Sequence, residues 1–179
     1  MSQEYQEHYT IEAPSGYAPE IARLLWMLED TRRRTKRALD DLDPAVIDWT
    51  EPRGNSIGTL LYHIAAIEID WLYTDVLEGK PWPREVEALF PYDVRDERGL
   101  LIAVRDASLE EHVRRLDEVR AIFLASFRGM PIDELRRVRR LTDYDVTPEW
   151  VLHHLMQHEA EHRGQIAEIR TRAERAPIG

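Results

Sequence analysis

Apolar residues recur every three to four positions along four long stretches of the chain, the period of a helix with one buried face. The first predicted helix runs from about Pro19 to Asp41, with Ile21, Leu24, Leu25, Leu28, Thr35, Leu39 and Leu42 along its stripe. Pro19 suits a first helical turn, and Asp43-Pro44 ends the run. The second runs from about Ser56 to Glu78 on Ile57, Leu60, Leu61, Ile64, Ile67 and Trp71. Asn55 or Ser56 caps it, and Gly79 followed by Pro81 stops it. The third starts near Ser108, with Glu111 placed for a capping box, and carries Leu109, Val113, Leu116, Val119, Ile122, Phe123 and Phe127 to a stop at Gly129. The fourth opens at Thr147-Pro148-Glu149 and reaches about Ala173.

The segments between them refine this reading. Residues 1–18 are expected to be an N-terminal arm, punctuated by Pro14 and Gly16, and 19–179 a single domain. Residues 79–105 carry prolines, Trp82 and Phe90-Pro91-Tyr92 without a helical period. A connection that long suits a crossover between distant helix ends. The expected fold is therefore all-α, a four-helix bundle with a long crossover between the second and third helices. Residues 131–146 are a charged link with room for a short helix or hairpin-like pieces.

Composition removes several functions. The 179 residues include no cysteine, which excludes disulfides, thiolate–zinc and iron–sulfur centres and a cysteine nucleophile. A formal charge of −10 argues against a nucleic-acid partner, which needs a basic footprint. The basic runs, Arg32-Arg33-Arg34 and Arg136-Arg137 with Arg139-Arg140, read as solvated helix faces or salt-bridge partners. The N-terminus is polar and acidic, and no apolar run approaches the roughly 18 residues of a membrane span. The expected protein is soluble and cytoplasmic, with no membrane partner.

Histidines change the picture of the fourth helix. At about 100° per residue, Val151, Leu155, Ile166 and Ile169 share one arc, and His158 and His162 fall inside it. An unpaired buried polar group costs roughly 1–3 kcal/mol, so two imidazoles in mid-stripe need partners. One metal ion would pair both, because side chains at i and i+4 lie on one helix face. The bland alternative is a pair of core histidines bonded to carbonyls or carboxylates. A third ligand should come from a neighbouring helix, and helix angles rank His63 and His112 equally. His154, one turn before His158, is a ligand, an outer partner or a boundary residue. His8 sits in the arm, and His153 points away from the stripe.

His158-Glu159-Ala160-Glu161-His162 also matches the H-E-x-x-H pattern of zinc proteases. Its continuation does not, with Gln165 and Glu168 where one class of these proteases needs glycine and histidine. Two carboxylates accompany the histidines. Glu68 falls in the middle of the second stripe and needs a partner, either the metal site or a helix arginine. Glu159 projects about 100° from His158, towards a helix or dimer seam. Gly164 reads as a place where helices pack closely. Trp71, Tyr73 and Trp82 are candidates for a pocket wall.

Two stretches, Asn55 to Glu68 (NSIGTLLYHIAAIE) and His154 to Ile166 (HLMQHEAEHRGQI), give the chain a resemblance to the DinB family, the DinB/YfiT-like metalloenzymes. The second, an H-x-x-x-H pair followed by Arg-Gly-Gln-Ile, is the more specific. The resemblance spans about residues 20 to 173 and implies the four-helix bundle with its crossover. By motif position it implies a divalent metal, zinc or nickel, on His63, His158 and His162, which breaks the tie with His112. It also implies a homodimer acting on a small-molecule substrate. Activities in the wider superfamily include transfer of low-molecular-weight thiols such as bacillithiol or mycothiol. Since the chain has no cysteine, sulfur would have to arrive with a cofactor or substrate. The expected function is a metal-dependent thiol S-transferase, with Glu68, His154 and Glu159 as catalytic or outer-shell candidates. The alternatives are a metal-hydroxide hydrolase and a non-enzymatic, stress-related metal-binding dimer.

Overall fold

The computed structural model describes residues 10–176, so His8 and the first half of the arm lie outside the described residues. The protein is mostly helical. Its elements are α1 (Pro19–Arg37), α2 (Ile57–Asp70) continuing into a π-helical turn (Trp71–Val76), α3 (Arg84–Glu87), α4 (Leu109–Ser126), α5 (Ile132–Arg136), the two-residue strands β1 (Arg139–Arg140) and β2 (Asp145–Val146), and α6 (Pro148–Arg175). The four long predicted helices are α1, α2, α4 and α6. The charged link holds both a short helix and an antiparallel hairpin, β1 with β2. No helix among the described residues is long and apolar enough to cross a membrane.

Helix ends follow their local chemistry. Ser56 Oγ accepts from Thr59 N at the start of α2, and Thr147 Oγ1 accepts from Trp150 N at the start of α6. At α4 the capping box is complete: Ser108 Oγ accepts from Glu111 N at 3.2 Å, and Glu111 Oε2 accepts from Ser108 N at 2.7 Å. Ser108→Ala should therefore lower unfolding free energy by about 1 kcal/mol. Urea denaturation would measure it, and a change under about 0.3 kcal/mol would mean that the box contributes nothing.

α2 sits at the centre. It packs against α4 and α6, while α1 packs against α6. Every residue from Ile57 to Ala66 is buried, as expected of a segment that is apolar on nearly all sides. Leu25 and Leu28 of α1, Leu61 and Ile64 of α2, Phe123 of α4 and Leu155 of α6 share one core. A helix so enclosed gives its polar side chains no water, and Tyr62, His63 and Glu68 must each find partners within the protein. Tyr62 Oη donates to Tyr92 O at 2.6 Å and accepts from Tyr92 N, which ties the segment before α4 to α2.

The end of α2 differs from a regular helix. From Trp71 to Val76 the ladder widens to i→i+5, as in Leu77 N donating to Leu72 O at 2.9 Å. One such turn shifts the faces that later side chains present. Gly79, at φ 78°, closes the segment near the predicted stop.

The arginine runs are a partial correction. Arg33 and Arg34 are exposed, but Arg32 is 3% exposed and Arg139 2%. They are salt-bridge partners inside the protein rather than on a solvated face. Gly164 is a second correction, because a Cβ added there would meet nothing within 4 Å. It is exposed and serves no close packing.

Candidate metal centre

α2 brings His63 and α6 brings His158 and His162 to one point. His158 Nε2 lies 3.1 Å from His63 Nε2 and 3.1 Å from His162 Nε2. The ligand atoms of the three all lie within 4.8 Å of one another. Each ring nitrogen offers one hydrogen or one lone pair, so three converging nitrogens cannot satisfy one another by hydrogen bonds. A single cation can take all three lone pairs. With metal–nitrogen bonds of about 2.0–2.1 Å, two ligands on one ion stand about 2.9 Å apart at a right angle and about 3.4 Å apart at the tetrahedral angle. The two separations from His158 fall between, and the third pair lies within 4.8 Å, so the trio can converge on one divalent ion.

The surroundings keep the nitrogens available. Burial first, then the nearby His162 and Arg95, bring the His63 pKa down to about 4. Burial first, then His162 and His63, bring His158 down to about 3. Both rings are thus neutral near pH 7, the form that binds metal. His162 Nδ1 donates to Gln165 Oε1 at 2.8 Å, which leaves its Nε2 lone pair facing the trio. His63 is buried, whereas His158 and His162 are partly exposed, so the centre opens on the α6 side. His63 Nδ1 is buried with no partner among the described residues.

The other candidates separate cleanly. His154 touches the trio edgewise, its ring centroid 5.9 Å from that of His158. It also packs on Trp71 at 4.7 Å and stacks on Trp150 at 5.0 Å. His153 is exposed, as its helix angle implied.

Glu68 and Glu159 do not turn to the histidines: of the two partners expected for Glu68 the arginine is the one present, and Glu159 lies on a seam between helices. Both face a pair of buried arginines. Glu68 Oε1 accepts from Arg120 Nε at 2.6 Å, and Oε2 accepts from Arg32 Nη2 at 2.7 Å and Arg120 Nη2 at 2.9 Å. Glu159 accepts from Arg32 Nε at 2.8 Å and from Arg120 Nη2 at 3.1 Å. The four residues come one each from α1, α2, α4 and α6, and all are at most 4% exposed. A third carboxylate, the partly exposed Glu29 of α1, accepts from Arg120 Nη1 at 2.7 Å, so the two guanidiniums meet three carboxylates. Burial alone would raise the Glu159 pKa, but Arg32 and Arg120 outweigh it and lower it. Glu159 follows His158 directly in the chain, and Glu68 lies five residues beyond His63, so this cluster bridges the two helices that carry the three histidines.

His112, the rival third ligand, is not part of the trio. It is buried on α4, where Arg115 Nη1 donates to its Nδ1 at 3.2 Å, leaving the ring hydrogen on Nε2. Nε2 lies 2.9 Å from where a Cβ on Gly58 would sit, so the glycine is what admits the ring. Burial first, then Arg115, bring the His112 pKa from its ordinary 6.5 down to about 4. Unfolded chain therefore binds this proton more readily than folded chain. The His112 contribution is whole above pH 6.5 and is lost as pH falls towards 4, with roughly 3 kcal/mol at stake over the window. Urea titrations at several pH values should show wild type losing that amount relative to His112→Asn, which keeps an acceptor for Arg115. Parallel pH profiles for the two proteins would sink the idea.

Arg95 is a residue that sequence reasoning missed. It lies in the segment between α3 and α4, close enough that its charge lowers the pKa of both His63 and His158. Its side chain is held by a bond to Gly99 O at 2.8 Å. No spacing or motif marked it, because its approach to the site is set by the path of a loop.

Comparison with known proteins agrees with this geometry. A family model described as the DinB superfamily matches residues 27–166. The chain belongs to the DinB superfamily. The matched span holds all three histidines and all four members of the buried quartet. A crystal structure of a conserved protein from Enterococcus faecalis has a similar fold, with a TM-score of 0.64 at 16% identity over 82% of this chain and 92% of that one. That likeness concerns the fold alone. No curated protein matches the chain.

Proposed function

We propose that this DinB superfamily member is a four-helix bundle with a long crossover between α2 and α4, holding a divalent metal, zinc or nickel, on His63, His158 and His162. We infer that it transfers a low-molecular-weight thiol to a small electrophile. The observation that carries the reading is the convergence of three Nε2 atoms at bonding separation around one point. An all-nitrogen donor set suits zinc and nickel. Bound there, the ion would lower the pKa of a thiol in its open position.

The protein's own residues do the rest. Burial keeps His63 and His158 unprotonated, and Gln165 holds the His162 tautomer. Arg95 supplies positive charge beside the centre, which favours an anionic nucleophile over its neutral form. His154 neighbours His158, its ring centroid 5.9 Å away. The test is turnover of a generic electrophile with glutathione, bacillithiol, mycothiol and coenzyme A, using metal-loaded protein freed of any histidine tag. Thiol-dependent product is expected with at least one of them and is lost in His158→Ala. No thiol-dependent turnover with any of the four would remove the transferase reading.

A further inference from the structure

An apolar cleft of about 480 Å³ lies beside the metal centre, between the π-helical turn, the β1–β2 hairpin and the start of α6. Trp71, Tyr144 and Trp150 form its walls with Val138 and Val146. Trp71 lies 5.5 Å from Trp150 and 6.1 Å from Tyr144, centroid to centroid. Apolar side chains of this size are usually covered, yet Trp150 is 47% exposed, Val138 47% and Tyr144 44%. The volume is within the range of small-molecule sites, and the lining is mainly apolar, with three aromatic rings. The π-helical turn begins at Trp71, and such turns recur at functional sites because they re-aim side chains.

Two further observations say what occupies the cleft. The first is continuity with the centre: His154 packs on both Trp71 and Trp150, and its other neighbour is the ligand His158. One side chain thus separates the cleft from the metal site. The second is charge. Asp145 is the only charged lining residue. Behind the rings, Tyr144 Oη donates to Asp75 at 2.8 Å, and Asp75 is buried. Burial, that hydrogen bond and the charges of Asp70 and Asp143 push the Tyr144 phenol up to about 12. The wall carries one carboxylate, Asp145, with Arg140 opposite it in the β1–β2 register, and its ring faces favour a cation or a neutral ring over an anion. The other cleft near the trio, of about 250 Å³, is different. Its charged residues Glu51, Glu168 and Arg172 are already paired with one another.

We propose that the Trp71–Tyr144–Trp150 cleft binds the aromatic end of a small ligand, one whose ring carries a neutral or cationic substituent. Resting on the metal-centre reading, the ligand's other end passes His154 to reach the histidine trio. The ring lies against Trp150 and Trp71, and an ammonium group sits towards Asp145 and Asp75.

Benzyltrimethylammonium, benzyl alcohol and benzenesulfonate separate the features, and none is a strong metal ligand. Binding is read by protein NMR shifts and calorimetry on metal-loaded protein and on His158→Ala. The ammonium compound should bind at least about tenfold tighter than the sulfonate, with the alcohol between them. Trp150→Ala should weaken the ammonium compound by at least about fivefold while leaving metal content unchanged. Binding that persists in His158→Ala after metal is lost supports the cleft independently of the metal reading. Equal affinity for the sulfonate, or no effect of Trp150→Ala, overturns the proposal. So does a concentration-dependent dimer that Trp150→Ala dissociates, because the exposed rings would then be a protein contact.

Discussion

Glu68→Gln is expected to destabilise the protein by roughly 3–5 kcal/mol, the usual cost of removing one partner from a buried ion pair. Glu68 is 2% exposed and takes three guanidinium hydrogens, from Arg32 and Arg120. Glutamine keeps the size, but its amide nitrogen turns a donor towards donors. It also leaves the two buried guanidiniums with one buried carboxylate, Glu159, and the partly exposed Glu29 to balance them. Arg32 and Arg120 do not relieve this by losing protons, since guanidinium stays charged. Urea denaturation gives the number, provided that the slope of the transition is unchanged. Adding Arg32→Gln removes a guanidinium that has lost its carboxylate acceptor and should recover part of the loss, with a coupling of about 1 kcal/mol or more in the double-mutant cycle. A loss below about 1 kcal/mol for Glu68→Gln would show that the quartet tolerates imbalance and does not hold the helices.

His158→Ala should abolish metal binding and the stability that comes with it. His158 is the middle ligand, at 3.1 Å from both of the others, so its removal leaves two imidazoles on different helices. Metal at about 100 times its dissociation constant stabilises the folded state by about 2.7 kcal/mol. For a chain of this length that is roughly 5–10 °C in Tm. Zinc or nickel should raise the wild-type Tm by about that much and leave the variant unmoved. Elemental analysis of untagged protein should give about one metal per chain for wild type and less than about 0.2 for the variant. Without metal the substitution should be mild, because it relieves a place where three nitrogens crowd together. Equal metal content in the two proteins would refute the three-histidine centre.

The long helices and the histidine pair were legible because each rests on a period. Stripes at three- and four-residue spacing marked α1, α2, α4 and α6, and a pair at i, i+4 in mid-stripe marked His158 and His162. Periodicity could not choose between His63 and His112. Both lie on the shoulders of their helices, and only the packing of α2 on α6 brings one of them to the trio. The quartet was half visible. In α1 the stripe steps from Leu28 to Thr35, and Arg32 fills the gap at i+4 and i+3. Its place in a run of three arginines disguised a core position as surface. Arg120 similarly sits between the buried Val119 and Phe123. Glu68 was recognised as needing a partner, but which partner depends on all four helices at once. The aromatic cleft was less legible still: Trp71 was a candidate, but the hairpin that supplies Tyr144 and Val146 had no periodic signal. Trp82 packs against Phe90 instead, and Tyr73 is buried.

The quartet has a consequence for how the chain can come apart. Each long helix contributes one buried charge, and α1 adds the partly exposed Glu29. A form that releases α4 leaves Glu68 and Glu159 with Arg32 as their one guanidinium among the described residues. A form that releases α2 or α6 takes a buried carboxylate away from both arginines. A domain-swapped form restores the set and escapes this cost. The same side chains that join the histidine-bearing helices thus penalise the release of any one of α2, α4 or α6 by itself.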